Sequence, residues 1–369
     1  MLTLALLLCT AQDPITLEPE TGPAVTFKDN YDGAKAVADR PARIKSTPKG
    51  VVRWFSFPWG DGTAVIGASA KQLWADTNGD GDLDDEKPVA YATGYDGKAA
   101  TVVMKLKLVN RTIDATLQFR FYEATEMRVT NLTRMSGKVT VGGREMAVSL
   151  CDYLVNGRYD DYRTTATKEY WLCDHVHLDV DGDGKFKNSI PPRGEDFSLA
   201  HAFVIGDAVY GFEVVDHGEK LKFTKRDTKL VTVKANVPEY SIALVSDDYG
   251  CPTLDGKDGL SKIPAGTYRW DYYTYKVKDD RVSGYFHRDD PVRTLEIKEG
   301  LEITLRAPLK YEIFDERVRG ALVLWTIAYG PNGERVEIWP GKGGTNLEPT
   351  LRILTEKGAE LWSKESHYC

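Results

Sequence analysis

Basic charge is scarce in this 369-residue chain: 48 Lys and Arg stand against 55 Asp and Glu, for a formal net charge of −7. That balance argues against a nucleic-acid partner, because phosphate binding needs a basic face. Long apolar runs are lacking too. Beyond the first dozen residues nothing approaches the roughly 18 apolar residues of a membrane-spanning helix, so no helical transmembrane span is expected. Helix signals are few. The segment from Ala34 to Arg43 could hold a short helix, interrupted by Pro41. There is no G-x-S-x-G elbow, which argues against an α/β-hydrolase. Gly341-Lys342-Gly343-Gly344-Thr345 is glycine-rich but lacks the P-loop order and reads as a turn.

What the chain does have is strand-forming sequence. Aromatics make up 11% of it, with 19 Tyr and 8 Trp, a bias toward pleated surfaces. Segments rich in β-branched and aromatic residues include Val51 to Phe57, Thr101 to Leu108, Thr112 to Phe121, Lys138 to Val141 and Glu145 to Leu150. Further ones are Ala208 to Val215, Tyr240 to Val245, Thr267 to Val277, Ala321 to Tyr329 and Arg335 to Trp339. Gly142-Gly143 reads as a hairpin turn, Glu299-Gly300 as a tight turn and Gly330 to Glu334 as another turn. The expectation is an all-β protein of two or three β-sandwich-like domains with calcium-type loops between strands. Polar stretches place its boundaries near residues 135 and 285. That gives an N-terminal domain over 12–135, a central one over 136–285 and a C-terminal one over 286–369.

The first residues, Met1 to Ala11, form a short apolar run with small residues before Gln12, like a signal peptide cut after Ala11. No Lys or Arg precedes the run, and a lipoprotein signal on Cys9 is the alternative. Export would leave Cys151, Cys173, Cys251 and Cys369, an even number that permits two disulfides. Cys151 and Cys173 are the first expected pair; four thiols are the competing reading.

Two aspartate-rich loops carry most of the chemistry. The first runs Asp76-Thr77-Asn78-Gly79-Asp80-Gly81-Asp82-Leu83-Asp84-Asp85-Glu86, the second Asp179-Val180-Asp181-Gly182-Asp183-Gly184-Lys185-Phe186. Both fit D-x-[DN]-x-D-G. Oxygen ligands alternate along the backbone, with glycine where it must turn sharply, as a hard cation such as Ca²⁺ requires. The expected ligands are Asp76, Asn78, Asp80, the Asp82 carbonyl and Asp84 or Glu86 in the first loop. In the second they are Asp179, Asp181, Asp183 and the Lys185 carbonyl, with Glu195 or Asp196 closing the shell. A plain solvated turn is the bland alternative, since Asp, Asn and Gly favour turns anyway; two near-complete copies argue against it. The segment Asp152 to Asp161 reads as a decayed third loop, its position-three ligand replaced by Leu154. An EF-hand is excluded, because position twelve is Lys87 in one loop and Ile190 in the other, each followed by proline.

The loops resemble the D-x-D-x-D-G loops of dockerins and thrombospondin repeats. The stretch from about residue 137 to 215 also looks like a module of exported bacterial β-rich proteins of unassigned function. Gly137 to Gly143, Asn156 to Asp161, Leu178 to Phe186 and Glu195 to Phe197 carry that likeness. The C-terminal third resembles β-sandwich modules attached to exported proteins, through Ala265-Gly266-Thr267-Tyr268 and Leu351 to Gly358. These resemblances imply export and structural calcium, and no catalytic residues.

Competing signals remain. His175-Val176-His177 puts two imidazoles on one strand face, where with Cys173 and Asp179 they could hold Zn²⁺. Asp160-Asp161, Glu195-Asp196 and Asp247-Asp248 are carboxylate pairs of the kind glycoside hydrolysis uses. In Tyr268 to Tyr275, alternate aromatics could present a sugar-stacking face or simply a core face. The reading adopted is an exported calcium-binding β protein with a binding or scaffolding role. Its partner would be a protein or carbohydrate at the cell exterior, secreted, periplasmic or surface-bound. The alternative is a secreted hydrolase of polysaccharide or peptide, with structural calcium or a His-x-His metal site.

Overall fold

The computed structural model describes residues 13–21, 35–37, 39–94, 97–121, 127–167, 172–184, 186, 196–205, 207–278, 280–286, 293–318, 321–339, 350–354 and 360–365. The expected signal segment, Lys185, Glu195 and Cys369 lie outside them. The chain is all-β: among the described residues the only helical element is one 3-10 turn, Asp216–Gly218. Alternation accounts for this. In Thr112–Phe121, Ile113, Ala115, Leu117 and Phe119 are buried while Thr112 and Asp114 face out, the period-two pattern of a half-buried strand.

The backbone divides into two compact units. The first is Met1–Ile205 with Tyr210–Arg226, the second Gly206–Val209 with Asp227–Cys369. The boundary expected near residue 135 falls inside the strand Thr133–Val141, and the one near 285 falls at the end of Asp280–Tyr285, within the second unit.

Three sheets of the first unit frame the site. One orders Asp196–Ser198, His175–Leu178, Arg144–Cys151, Thr133–Val141 and Glu18–Thr21, all antiparallel. Its central hairpin turns at Gly142 and Gly143, with φ of 58° and 83°, the left-handed pair a tight hairpin demands. Another sheet orders Lys35–Val37, Arg53–Trp59, Gly62–Ala68, Gln72–Ala75 and Val89–Ala90. The segment expected as a short helix therefore contributes a strand: Lys35, Ala36 and Val37 pair with Ser56, Phe55 and Trp54. Sheet pairing prevails over the weak propensity of a stretch that Pro41 already breaks. The third sheet joins Met127–Asn131, Thr112–Phe121, Gly97–Lys107 and Ala92–Gly94.

In the second unit an eight-stranded sheet is built around Gly266–Val277, which pairs with Tyr240–Val245, Asp280–Tyr285 and Thr294–Ile297. The Glu299-Gly300 turn is present, but its flanking strands join different sheets: Thr294–Ile297 pairs with Gly266–Val277, and Leu301–Ile303 runs parallel to Leu230–Ala235. The aromatic row differs from simple alternation. Ala243 pairs with Tyr272 and Leu244 with Trp270, so Asp271 is an extra, bulged residue that reverses the facing of the residues beyond it. Tyr268, Trp270, Tyr273 and Tyr275 are consequently all core residues, and no exposed sugar-stacking row remains.

Candidate metal centre and a buried thiol–imidazole chain

Three loops leave three strand ends in the same way. Each begins with a buried aspartate: Asp76 after Gln72–Ala75, Asp152 after Arg144–Cys151 and Asp179 after His175–Leu178. In each, the amide five residues on donates back to that carboxylate. Gly81 donates to Asp76 Oδ1 at 3.4 Å, Gly157 to Asp152 Oδ2 at 2.8 Å and Gly184 to Asp179 Oδ2 at 3.2 Å. Positions three and five beyond the aspartate have positive φ: Gly79 and Gly81 (78° and 80°), Gly182 and Gly184 (76° each), Val155 and Gly157 (53° and 77°). The middle loop thus keeps the backbone of the other two even though Val155 stands where they have glycine, and a β-branched residue is strained there.

The three differ in what surrounds the leading carboxylate. In the first loop Asp76 is ion-paired with Arg43 at 3.1 Å. Asn78 and Asp80 close on one another through Asn78 Nδ2 to Asp80 Oδ2 at 3.0 Å, and on the backbone through the Asp80 amide to Asn78 Oδ1 at 3.0 Å. The amides of Asp82 and Asp84 donate to Asp80 and Asp82 at 2.7 and 2.9 Å. Ser46 donates its hydroxyl to Asp82, holding that carboxyl below its ordinary range. Glu86 turns away to accept from the Thr77 amide and hydroxyl at 2.6 and 2.7 Å.

In the second loop the side chains of Asp179, Asp181 and Asp183 gather so that one ligand oxygen from each lies within 4.8 Å of the others; Asp179 is buried and the other two exposed. Among the described residues this is the only set of three or more His, Cys, Asp or Glu that converges so closely. The Gly182 amide fixes Asp179 Oδ1 at 2.6 Å, and the Asp183 amide fixes Asp181 Oδ1 at 3.1 Å. These three residues could hold a metal ion.

The middle loop is plugged by protein. Asp152 accepts from the amides of Asn156 and Gly157 and from Asn131 Nδ2 at 3.1, 2.8 and 3.0 Å. Asp174 lies alongside, accepting from the amides of Tyr153 and Asp161 at 2.9 and 3.0 Å. Burial raises both carboxyls; the nearby Asp161 adds to the rise at Asp152, and Asp152 and Asp161 add to that at Asp174. Spacing along the chain marks Asp152 only as the start of a lapsed loop; Asp174, directly after Cys173, carries no spacing signal.

The His-x-His pair is arranged differently from a metal site. His175 and His177 are both buried, and the edge strand Asp196–Ser198 places Asp196 opposite His177. Asp196 Oδ1 lies 3.0 Å from His175 Nδ1 and 3.3 Å from His177 Nε2. Cys151 Sγ approaches His177 Nδ1 at 4.0 Å, and Cys173 hydrogen-bonds His175. The result is a chain, thiol–imidazole–carboxylate–imidazole–thiol, in place of four ligands around one point. Burial alone would lower both imidazoles. The neighbouring Cys151 and Asp196 outweigh it and lift His177 to about 9, and Asp196 and Cys173 lift His175 well above its ordinary value. Burial would raise Asp196, but the two histidines hold it far below the usual carboxylate range. Asp196 therefore serves the imidazoles and does not close the second loop.

No disulfide joins Cys151 and Cys173, so the expected Cys151–Cys173 bridge is not formed. The register explains it: Cys151 pairs with His175, and each thiol is directed to a different histidine. Compared with known protein families, curated proteins and solved structures, the chain finds no match.

Proposed function

We propose that this chain is an exported calcium-binding β protein with a binding or scaffolding role at the cell exterior. The observation that carries the reading is the convergence of Asp179, Asp181 and Asp183 at the end of His175–Leu178. All-oxygen donors of this kind suit a hard cation, and Ca²⁺ tolerates an irregular shell better than Mg²⁺ does. The ion's role is structural. Without it the clustered carboxylates repel; with it the loop is drawn together and the folded state gains by mass action. An affinity on the order of 10⁻⁴ to 10⁻³ M suits an extracellular module. The first loop is the second calcium site in this reading, formed when Asp76, Asn78, Asp80 and the Asp82 carbonyl exchange their present partners for the ion. The test is thermal unfolding of the full chain in EGTA, in millimolar Ca²⁺ and in Zn²⁺. A rise with Ca²⁺ alone supports the reading, and no response to Ca²⁺ overturns it.

A further inference from the structure

We propose that Asn78 is a site of spontaneous covalent modification: the Gly79 amide nitrogen displaces ammonia from the Asn78 side chain, and water opens the resulting ring to aspartyl and isoaspartyl products. The aspartyl product gives the first loop carboxylates at residues 76, 78 and 80, the alternating set that Asp179, Asp181 and Asp183 supply in the second. That consequence rests on the calcium reading above; the modification itself does not.

The chain has three Asn-Gly pairs: Asn78-Gly79, Asn156-Gly157 and Asn332-Gly333. Ring closure within such a pair needs an amide nitrogen that can reach the side-chain carbonyl carbon, and glycine, without a Cβ, puts the least bulk in its way. The structure separates the three by what holds that amide. The Gly157 amide is buried and donates to Asp152 Oδ2 at 2.8 Å, and the Gly333 amide donates to the Gly330 carbonyl at 3.1 Å. In the second loop the amide equivalent to Gly79, that of Gly182, is fixed on Asp179 Oδ1 at 2.6 Å. In the first loop Asp76 takes Arg43 and the Gly81 amide, and the Gly79 amide has no hydrogen bond among the described residues. Asn78 and Gly79 are both exposed, and a Cβ at Gly79 would meet nothing within 4 Å, so the pair has room to turn. The electrophile is prepared as well. The Asp80 amide donates to Asn78 Oδ1 at 3.0 Å, where negative charge gathers as the nitrogen adds. Asn156 has the same feature, the Arg158 amide donating to its Oδ1 at 2.9 Å, so these two sites differ chiefly in whether the nucleophile is held.

In the reaction the Gly79 nitrogen bonds to Asn78 Cγ as its proton passes to hydroxide from the solvent. The bond from Cγ to Nδ2 breaks, and Nδ2 takes up a proton and leaves as ammonia. A five-membered imide remains. Water then adds to one of its two carbonyls. Breaking the bond from the ring nitrogen to Cγ gives an aspartyl residue; breaking the bond to the main-chain carbonyl routes the backbone through the side chain as isoaspartyl. Side-chain amide and water become carboxylic acid and ammonia, with no other reactant.

The test incubates the full chain in EGTA at mildly alkaline pH and follows the three Asn-Gly peptides by mass mapping, with enzymatic methylation to count isoaspartyl product. Asn78 should convert at least about tenfold faster than Asn156 or Asn332, because those two must first open locally. The three rates should converge in the urea-unfolded chain, where nothing holds any of the amides. Gly79→Ala should slow conversion at Asn78. Equal rates at the three sites in the folded chain, or conversion of Asn78 without isoaspartyl product, would overturn the proposal whether or not the glycine variant folds. For the loop, Asn78→Asp should move the first-loop phase of a calcium titration to lower calcium, by up to about tenfold. An unmoved phase would overturn that consequence, while the mass measurements, made in EGTA, still decide the modification.

Discussion

Replacing Asp183 by Asn should stabilise the protein in EGTA and weaken its response to calcium. The three carboxylates of the second loop lie within 4.8 Å of one another. Two unit charges at that distance repel by about 0.9 kcal/mol in bulk water, and physiological salt removes roughly half of that. Asp183 takes part in two such pairs, so the change relieves on the order of 1 kcal/mol when no cation is present. The loop's shape survives, because the bond to Asp181 uses the backbone amide of residue 183. With calcium the sign reverses. For a dissociation constant of 10⁻⁴ to 10⁻³ M, about 10 mM Ca²⁺ stabilises the wild type by about 1.4–2.7 kcal/mol. A tenfold weaker site gains only about 0.4–1.4 kcal/mol. Scanning calorimetry of the full chain reads this directly, since each kcal/mol moves the midpoint by about 2–4 °C for a unit of this size. The variant should start a few degrees higher in EGTA and rise less with calcium. A lower midpoint in EGTA would refute the crowding argument, and an undiminished calcium response would remove Asp183 from the ligand set.

Four other outcomes are expected. Asp80→Ala should remove one phase of a calcium titration monitored by melting temperature; an unchanged titration would leave the first loop a plain turn. Gly157→Ala should cost more than Gly79→Ala in urea unfolding. Both pay about 1–2 kcal/mol for positive φ, but a Cβ at Gly157 meets Leu106 at 2.6 Å and the Gly60 amide at 2.7 Å, whereas one at Gly79 meets nothing within 4 Å; equal losses would argue against that packing. The raised carboxyls of Asp152 and Asp174 contribute stability that is fully present below the ordinary value of 3.8 and lost as pH rises through their folded values. Asp152→Asn should therefore make the fall in unfolding free energy between about pH 4 and about pH 7 shallower, and an unaltered slope would refute this. Reduction with dithiothreitol should leave the melting temperature unchanged, because a bridge between Cys151 and Cys173 would have contributed about 3 kcal/mol; a drop of several degrees would restore the disulfide.

Much of this protein is written locally. Strand identity comes from two-residue alternation, so Thr112–Phe121, Ala208–Val215, Tyr240–Val245, Ala321–Tyr329 and Arg335–Trp339 begin and end where the sequence places them. The aspartate loops are local as well. Alternating Asp or Asn with glycine at the left-handed positions specifies their conformation with little help from the rest of the chain, and even the lapsed loop at Asp152 keeps it. Tertiary structure was needed for everything set by register between distant segments. Pairing of Asp196–Ser198 with His175–Leu178 brings Asp196 to two imidazoles instead of to the loop. A bulge at Asp271 turns an apparent aromatic face into core. Arg43, distant in sequence, comes to pair with Asp76 of the first loop. Spacing along one strand says which side chains share a face, but only the neighbouring strand decides what they meet there.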